Sequence, residues 1–433
     1  MAYPMAAVAI VLALVVRPQV ARQEFRWLDI ALVAYVVLLG LQLIPLPPPM
    51  RLALSPATRV VDLRLRLDAP AVALADTPHP LTVDANGTMQ ALWLSISVVL
   101  TFWCARALFA RGGIRVGART IAGLGLALAA FGIGQHATAP HALYWIRSFK
   151  STEPFGPYLN RSDFAMWLVM ALPLTAGYLL ARLHSRQRRG GELLTADAFD
   201  DTAMFLTVAM GLMAAALMVA LSRSGLIGAA AAALTLWTLS ERRMHRQGRA
   251  WLLGGIAAVV VIGLAFANTS AVTTRIQDTV KYSTVGRIAI WRATLPIIRA
   301  FWLTGTGAGA YERAMMVYQP APHETYFNHA HNEYLQLLTE GGLWLTIPGV
   351  LALATGVHCI RKRLSTDRTP IYWVRVGAVS GMIAAAVQSV WETGLRRPAN
   401  TLLFAILVAI AMHSASDSVR PARLNDETTS AGQ

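Results

Sequence analysis

The sequence predicts an all-α protein: a polytopic transmembrane helical bundle of about 11–12 spans with one large, partly helical loop outside the membrane. The chain is 55% hydrophobic and only 14% charged, and its mean hydropathy is positive. A water-soluble protein of 433 residues would carry more charge. The apolar residues also gather into runs close to the roughly 20 residues that cross a bilayer as a helix.

Apolar runs of this kind divide the chain into about eleven predicted spans. The sixth and seventh are separated only by Ser222 and Arg223, which predicts a tight helical hairpin or one broken helix at that point. The spans lie near 2–16, 28–45, 89–108, 118–136, 164–182, 202–221, 224–240, 251–267, 343–360, 371–391 and 400–414.

The formal net charge of +15 would usually suggest a nucleic-acid partner, but the position of the charge indicates a membrane instead. The basic residues cluster in short segments between spans, at 17–26, 106–119, 182–189, 242–249 and 361–368. Under the positive-inside rule these segments are cytoplasmic. Segments 46–88, 137–163, 268–342 and 392–399 are then predicted outside, and the polar tail 415–433 is predicted to be a disordered cytoplasmic segment.

Segment 268–342 is expected to be the functional part of the chain, because a loop of this length is usually functional or disordered. It separates the first eight predicted helices (1–267) from the last three (343–414). Within it, an amphipathic helix on the membrane surface is predicted near 286–301, with Ile288, Trp291, Leu295 and Ile298 on its apolar face. The glycines of 304–309 predict a flexible turn and only weakly imitate a dinucleotide-binding motif.

His331 is the first candidate for chemistry. It is predicted in the first turn of a short helix that ends at Gly341 and Gly342, and a helix N-terminus disfavours the imidazolium. A neutral ring there could act as a general base. Two other interpretations remain open: a histidine that only caps or packs the loop, and a metal site formed by His323, His329 and His331, although no regular zinc spacing is completed.

Three arginines form the second candidate constellation. Arg223 lies at membrane depth, where an unpaired guanidinium is costly, and Arg161 and Arg287 are predicted on the outer side against the usual charge bias. A guanidinium fork suits bidentate binding of phosphate. Internal ion pairs with carboxylates, or contact with lipid head groups, would explain the same residues.

Four segments together resemble the O-antigen ligase and polymerase superfamily of bacterial inner membranes. The segment 329–342 (HAHNEYLQLLTEGG) is similar to the motif that closes the large periplasmic loop of that family. In chain order, the other matching pieces are 154–161 (PFGPYLNR), 222–225 (SRSG), and Gly286-Arg287 followed by Trp291. The chain departs from the family pattern at Leu345, where a glycine is common, and this departure affects the expected helix packing.

The resemblance implies a metal-independent, inverting glycosyltransferase without a cofactor. His331 would be the base, Arg223 and Arg287 would hold the diphosphate of an undecaprenyl-diphosphate-linked glycan donor, and Arg161 would line the same cavity. The supporting residues would be His329, Asn332, Tyr334 and Glu340. The acceptor would be the lipid A core oligosaccharide. The protein would reside in the inner membrane, in contact with membrane lipids, and its active site would face the periplasm.

Three alternatives stay open at this point. A protein O-oligosaccharyltransferase would use a protein as the acceptor. A repeat-unit polymerase of the same superfamily, for O-antigen or exopolysaccharide, would use a second lipid-linked glycan as acceptor. A lipid-linked glycan transporter or flippase would also have many spans and buried arginines, but such proteins usually show internal repeats, and none is evident in this sequence.

Overall fold

A computed structural model of the protein describes residues 2–65, 77–148, 154–187, 200–241, 243, 286–320 and 327–414. In these residues the chain is almost entirely helical, and its strands form two short antiparallel pairs. The predicted all-α, polytopic helical bundle is confirmed. The predicted tail 415–433 and the eighth predicted span, near 251–267, lie outside the described residues.

The helices are numbered in chain order over the described residues. They are α1 (Ala2–Val16), α2 (Arg26–Leu41), α3 (Pro48–Leu54), α4 (Thr58–Leu65), α5 (Ala85–Ala110), α6 (Ile114–Thr138), α7 (Arg161–Gln187), α8 (Asp201–Val219), α9 (Arg223–Glu241), α10 (286–300), α11 (Tyr311–Tyr318), α12 (Glu333–Thr366), α13 (Ile371–Gln388) and α14 (Pro398–Met412). A short 3-10 helix, Gly394–Arg396, precedes α14. Strand β1 (Pro45–Leu46) pairs with β2 (His79–Pro80), and β3 (Ala142–Leu143) pairs with β4 (Arg147–Ser148).

Six of the described helices, α5, α6, α7, α8, α12 and α13, are long and apolar enough to cross a membrane, and α1 and α14 are shorter apolar helices. The chain is therefore a multi-pass membrane protein. Each predicted span in the described residues contains a helix, while the total of about eleven spans stays a prediction.

The core of the bundle is built on α7, which packs closely against α13. Gly177 and Gly377 face each other across this contact, and a methyl group on either would overlap the backbone of the other helix. Small residues permit such approach, and close packing holds helices together where lipid tails remove the hydrophobic driving force. Helix α9 packs against both α7 and α13, so these three helices form one unit.

Segments predicted to be cytoplasmic meet at one end of the bundle. Arg106 forms a buried ion pair with Asp29 at 2.8 Å, and Arg363 contacts Glu24 at 2.5 Å. Arg106 also donates to the Gln19 carbonyl at 3.2 Å, so segments 17–26, 106–119 and 361–368 meet here, as the alternation of sides requires. Which side of the membrane this end faces stays a prediction.

The opposite end of the bundle, the site end, carries the segments predicted outside. Helices α8 and α9 are joined there through Leu221, which has a φ of 47°, so the predicted break between the sixth and seventh spans is confirmed. The Ser222 hydroxyl bonds that of Ser162 at 3.2 Å, and the Gln388 side-chain amide donates to the Ser162 carbonyl at 2.9 Å. Ends of α7, α8, α9 and α13 therefore converge.

The predicted apolar face of α10 requires a correction. Ile290, Ala293 and Ile297 are buried, and Ala293 and Ile297 join a second core with α4 and α11. Of the predicted face, Ile288 and Leu295 are exposed, and Trp291 and Ile298 are half-buried. Helix α10 carries apolar residues on more than one stripe, and the neighbouring loop helices bury the stripe that the sequence pattern did not select. The exposed apolar side chains fit the predicted position at a membrane surface.

Gly342 interrupts α12 with a non-helical conformation, φ 53° and ψ −154°. The predicted end of the short helix at this glycine pair is confirmed, and the span resumes at once. The backbone N–H groups of Leu343 and Trp344 donate to the carbonyls of Trp302 and Leu303, at 2.8 and 2.9 Å. Leu345 is fully buried beside Leu39, so its departure from the family pattern is accommodated by packing.

Candidate active site

His331 lies just before α12, not in its first turn as predicted. The side chain of Asn332 accepts a hydrogen bond from the Leu335 N–H at 3.0 Å and is the N-cap, so the helix begins at Glu333. His331 precedes the cap with a φ of 47°, a conformation uncommon for a residue with a side chain. The imidazole faces the chain that follows α13, where Glu392 lies.

Glu392 stands between His331 and Arg287. Its Oε1 accepts a hydrogen bond from Arg287 Nη2 at 2.8 Å, and its Oε2 lies 3.7 Å from His331 Nδ1. The carboxylate is nearly buried, with 7% of its side chain exposed, while Arg287 and His331 expose 29% and 35%. Arg287 and His331, which were both predicted from the sequence, therefore lie next to the same buried carboxylate.

Arg287 is held in place by the helix that carries it. It is the second described residue of α10, and one turn later Trp291 Nε1 donates to the Ala330 carbonyl at 3.0 Å. That bond attaches α10 to the residue immediately before His331. The loop helix and the histidine motif therefore form one unit.

Arg161 and Arg223 are the first residues of α7 and α9 and lie at the same site end. Their neighbours Ser162 and Ser224 both contact the side-chain amide of Gln388, at 2.9 and 3.5 Å. The Glu392 N–H in turn donates to the Gln388 carbonyl at 3.1 Å. The structure thus brings Arg287 and His331 together directly and connects the starts of α7 and α9 to them through Gln388.

The residues predicted to support the site make contacts within the loop and with α12 and α13. The Gln336 side chain lies 3.4 Å from His329 Nδ1, and burial together with the nearby arginines lowers the pKa of His329 to about 4. The Tyr334 hydroxyl donates to the Ala386 carbonyl at 2.8 Å. Glu340 is buried and accepts from the Gly309 N–H at 2.9 Å, which attaches the glycine turn to α12.

The acidic and basic residues between α13 and α14 were not predicted from the sequence. Besides Glu392, this segment contains Arg396, which contacts Glu340 at 2.7 Å and Glu333 at 3.2 Å, and Arg397, which pairs with Asp163 at 2.6 Å. The two carboxylates raise the pKa of the Arg396 guanidinium. The signal was present, because two arginines in a segment predicted outside violate the same charge bias that indicated Arg161 and Arg287.

The glycine turn 304–309 has a defined backbone conformation that is held by hydrogen bonds. Gly305, Gly307 and Gly309 all have positive φ, and the Thr306 and Gly307 N–H groups donate to the carbonyls of Thr339 and Glu340 at 2.9 and 3.1 Å. The turn thus crosses over the end of the histidine motif and fixes it from the far side.

The arrangement offers an imidazole beside a carboxylate and arginine forks at the end of a membrane bundle. That combination can take a proton and balance the charge of an anionic group. In the described part of the chain, no group of three or more His, Cys, Asp or Glu side chains is placed to hold a metal ion, and His323 lies outside that part.

Fold and site together define a class: a multi-pass helical membrane protein with a charged His–Glu–Arg cluster at one end of the bundle. Residues 208–354 match the family model described as O-antigen ligase, and this segment includes Arg223, Arg287 and His331. The match supports the chain's membership of the O-antigen ligase and polymerase superfamily, as the resemblance implied. No curated protein matches the chain significantly.

Proposed function

We propose that the protein transfers a glycan from an undecaprenyl-diphosphate-linked donor to an acceptor hydroxyl, at the periplasmic face of a bacterial inner membrane. The observation that carries the proposal is that His331 and Arg287, which both lie in the segment that matches the O-antigen ligase family, converge on Glu392. The active site would comprise loop 268–342 and the segment between α13 and α14.

In the proposed step, His331 accepts the proton of the acceptor hydroxyl through Nε2. The hydroxyl oxygen bonds to the anomeric carbon from the face opposite the diphosphate, and the bond from that carbon to the diphosphate oxygen breaks. The leaving diphosphate keeps the electron pair. Inversion at the anomeric carbon follows from this geometry.

The arginines would stabilise the leaving group. Arg287 and Arg223 would hold the diphosphate, and Arg161 would line the same cavity, since fixed guanidinium groups at the end of a bundle offset charge that develops on a phosphate. Arg287 is partly exposed beside the buried Glu392, so a ligand can reach it. The lipid tail of the donor would lie along the spans while the sugars project outward.

A variant pair tests the proposed base. His331→Ala should abolish glycan transfer in purified protein while donor binding survives, because only the proton acceptor is lost. His358→Ala, an exposed histidine on α12, is the matched control and should transfer normally. Normal product from the His331 variant would refute the assignment.

A second pair tests the donor site. Arg287→Lys should lower turnover strongly, because lysine keeps the charge but loses the two-pronged fork. Arg292→Lys, an exposed arginine on the same helix, should behave as the unaltered protein. Equal kinetics for the two variants would remove Arg287 from the donor site.

Analysis of the product identifies the acceptor. Purified protein in detergent is incubated with labelled lipid-linked glycan and either lipid A core oligosaccharide or a second lipid-linked glycan, and the product is separated by chromatography. Transfer to the first supports a ligase, and chain elongation on the second supports a polymerase. Absence of any joining in detergent, where vectorial transport is impossible, would favour a transporter.

A further inference from the structure

Glu392 has two carboxylate oxygens with unequal partners. Oε1 is satisfied by Arg287 Nη2 at 2.8 Å, whereas Oε2 faces His331 Nδ1 at 3.7 Å, beyond the usual range of an N–H···O bond. His331 Nδ1 is buried and has no hydrogen-bond partner among the residues that the structure describes. A buried polar atom without a hydrogen-bond partner costs free energy, so a hydrogen bond between Nδ1 and Oε2 would be favourable.

A base that works through Nε2 needs its proton on Nδ1 and an acceptor that holds it there. Glu392 Oε2 is the carboxylate oxygen that faces this atom. The backbone of Glu392 is fixed, because its N–H bonds the Gln388 carbonyl and the Gln388 side chain bonds the Ser162 carbonyl. The distance between Oε2 and Nδ1 can therefore shorten only if the Glu392 side chain moves. That side chain is also bound to Arg287.

The two ends of the Arg287 ion pair differ in accessibility. Arg287 exposes 29% of its side chain and Glu392 only 7%, so a ligand from outside can reach the guanidinium but not the carboxylate. Phosphate oxygens are strong bidentate ligands for a guanidinium and would compete with a single carboxylate oxygen. Once Arg287 is drawn outward, the buried carboxylate needs another donor, and His331 Nδ1–H is adjacent.

Two other arginines near this cluster already have carboxylate partners. Arg396 contacts Glu340 and Glu333, and Arg397 pairs with Asp163. These guanidinium groups have carboxylates of their own and do not compete for Glu392. His329, on the same loop as His331, is held neutral near pH 7 by burial and the surrounding arginines, so it adds no charge.

We propose that Glu392 is a positioning residue that changes partner, from Arg287 to His331, when a diphosphate binds Arg287. The inference rests on the proposed function and deepens it, because it makes donor binding the event that aligns the base. Without the donor, Arg287 restrains the carboxylate. With the donor, the carboxylate holds Nδ1–H and offsets the positive charge that the imidazole gains during transfer.

Steady-state kinetics of Glu392→Gln test the change of partner. The variant keeps the size of the side chain but loses the charge, so Arg287 is released and the base is no longer supported. We expect the KM for the lipid-linked donor to fall about twofold to fivefold, and kcat to fall by about tenfold to a hundredfold. Glu312→Gln, an exposed glutamate on α11, is the matched control and should change neither value.

Glu392→Asp separates charge from packing. Because it keeps the negative charge and loses one methylene, the proposal predicts that it retains more of kcat than Glu392→Gln. A residue that only fills space predicts the reverse order, with Glu392→Gln close to normal. That reversed order would overturn the proposal, as would a rise in donor KM in Glu392→Gln.

A binding experiment separates this inference from the glycosyltransferase assignment. Inorganic diphosphate is titrated into full-length protein with ¹⁵N-labelled histidine, and the His331 Nδ1 resonance is assigned with His331→Gln. The proposal predicts a shift of that resonance in the unaltered protein, its loss in Glu392→Gln, and tighter diphosphate binding by that variant. These results without glycan transfer would refute the proposed function alone; active transfer with no shift and unchanged affinity would refute the change of partner alone.

Discussion

Replacing Gly305 by alanine should destabilise the protein strongly, because this residue lies where the glycine turn crosses the histidine motif. Its φ is +71°, and an added Cβ would overlap the Glu340 carbonyl and lie 2.6 Å from the Gly341 nitrogen. Alanine in the left-handed region costs about 1–2 kcal/mol. The overlap also forces the turn away from α12.

The rest of the expected decrease in the free energy of unfolding comes from the hydrogen bonds of the turn. The Thr306 N–H and Gly307 N–H bonds to the carbonyls of Thr339 and Glu340 would break, at about 1 kcal/mol each. Together with the backbone strain, the free energy of unfolding should fall by about 3–4 kcal/mol. Glycan transfer should fall with it, because the motif that carries His331 loses its support.

Thermal unfolding of purified protein in detergent, followed by tryptophan fluorescence, measures the effect. Gly349→Ala is the matched control, since this glycine lies in α12 and an added Cβ would meet nothing within 4 Å. We expect Tm to drop by several degrees for Gly305→Ala and to stay level or rise for Gly349→Ala. Equal Tm values for the two variants would refute the role assigned to the turn.

Three further changes test other parts of the structure. Arg106→Met should lower the free energy of unfolding by about 3–5 kcal/mol, because it leaves Asp29 as an unpaired buried charge; a Tm like that of the unaltered protein would contradict this. Trp291→Phe removes the bond to the Ala330 carbonyl and should cost about 1 kcal/mol, which denaturation curves would detect. The pKa of His329 is lowered from 6.5 to about 4 in the folded protein. As the pH falls, His329 is therefore protonated in the unfolded chain before it is protonated in the folded protein. The contribution of the neutral His329 ring to the free energy of unfolding is therefore fully present above pH 6.5. As the pH falls from 6.5 to 4, the free energy of unfolding decreases by up to about 3 kcal/mol. His329→Gln should flatten that part of the Tm against pH curve, and an unchanged slope would count against the buried neutral ring.

The candidate site could be predicted only in part from the sequence. His331 and Arg287 stood out because they lie in a long loop predicted outside, and the structure places them on one carboxylate. Glu392, which joins them, lies 61 positions beyond His331 in a short segment between two spans. No local pattern connects residues at that separation, since only the packing of α13 against α7 and α9 decides where Glu392 falls.

Helix α10 shows the same limit within a single element. Its sequence predicts a helix, because apolar residues recur at helical spacing, and residues 286–300 are helical. Ala293 and Ile297 are buried instead of Ile288 and Leu295, because residues of α4 and α11 pack against them. Periodicity fixes the angle between side chains but not the direction of their partners.

What the sequence alone determined is the membrane architecture, because length and apolar composition decide whether a helix can cross a bilayer without regard to its neighbours. It also predicted a break next to Ser222 and a helix end at Gly341 and Gly342, and the structure has non-helical backbone at Leu221 and Gly342. The tertiary structure alone decided that His331 precedes its helix and faces Glu392, and that Arg396 and Arg397 have carboxylate partners. Ion pairs between distant segments depend on where folding places each charge, and charge placement is a property of the packed bundle.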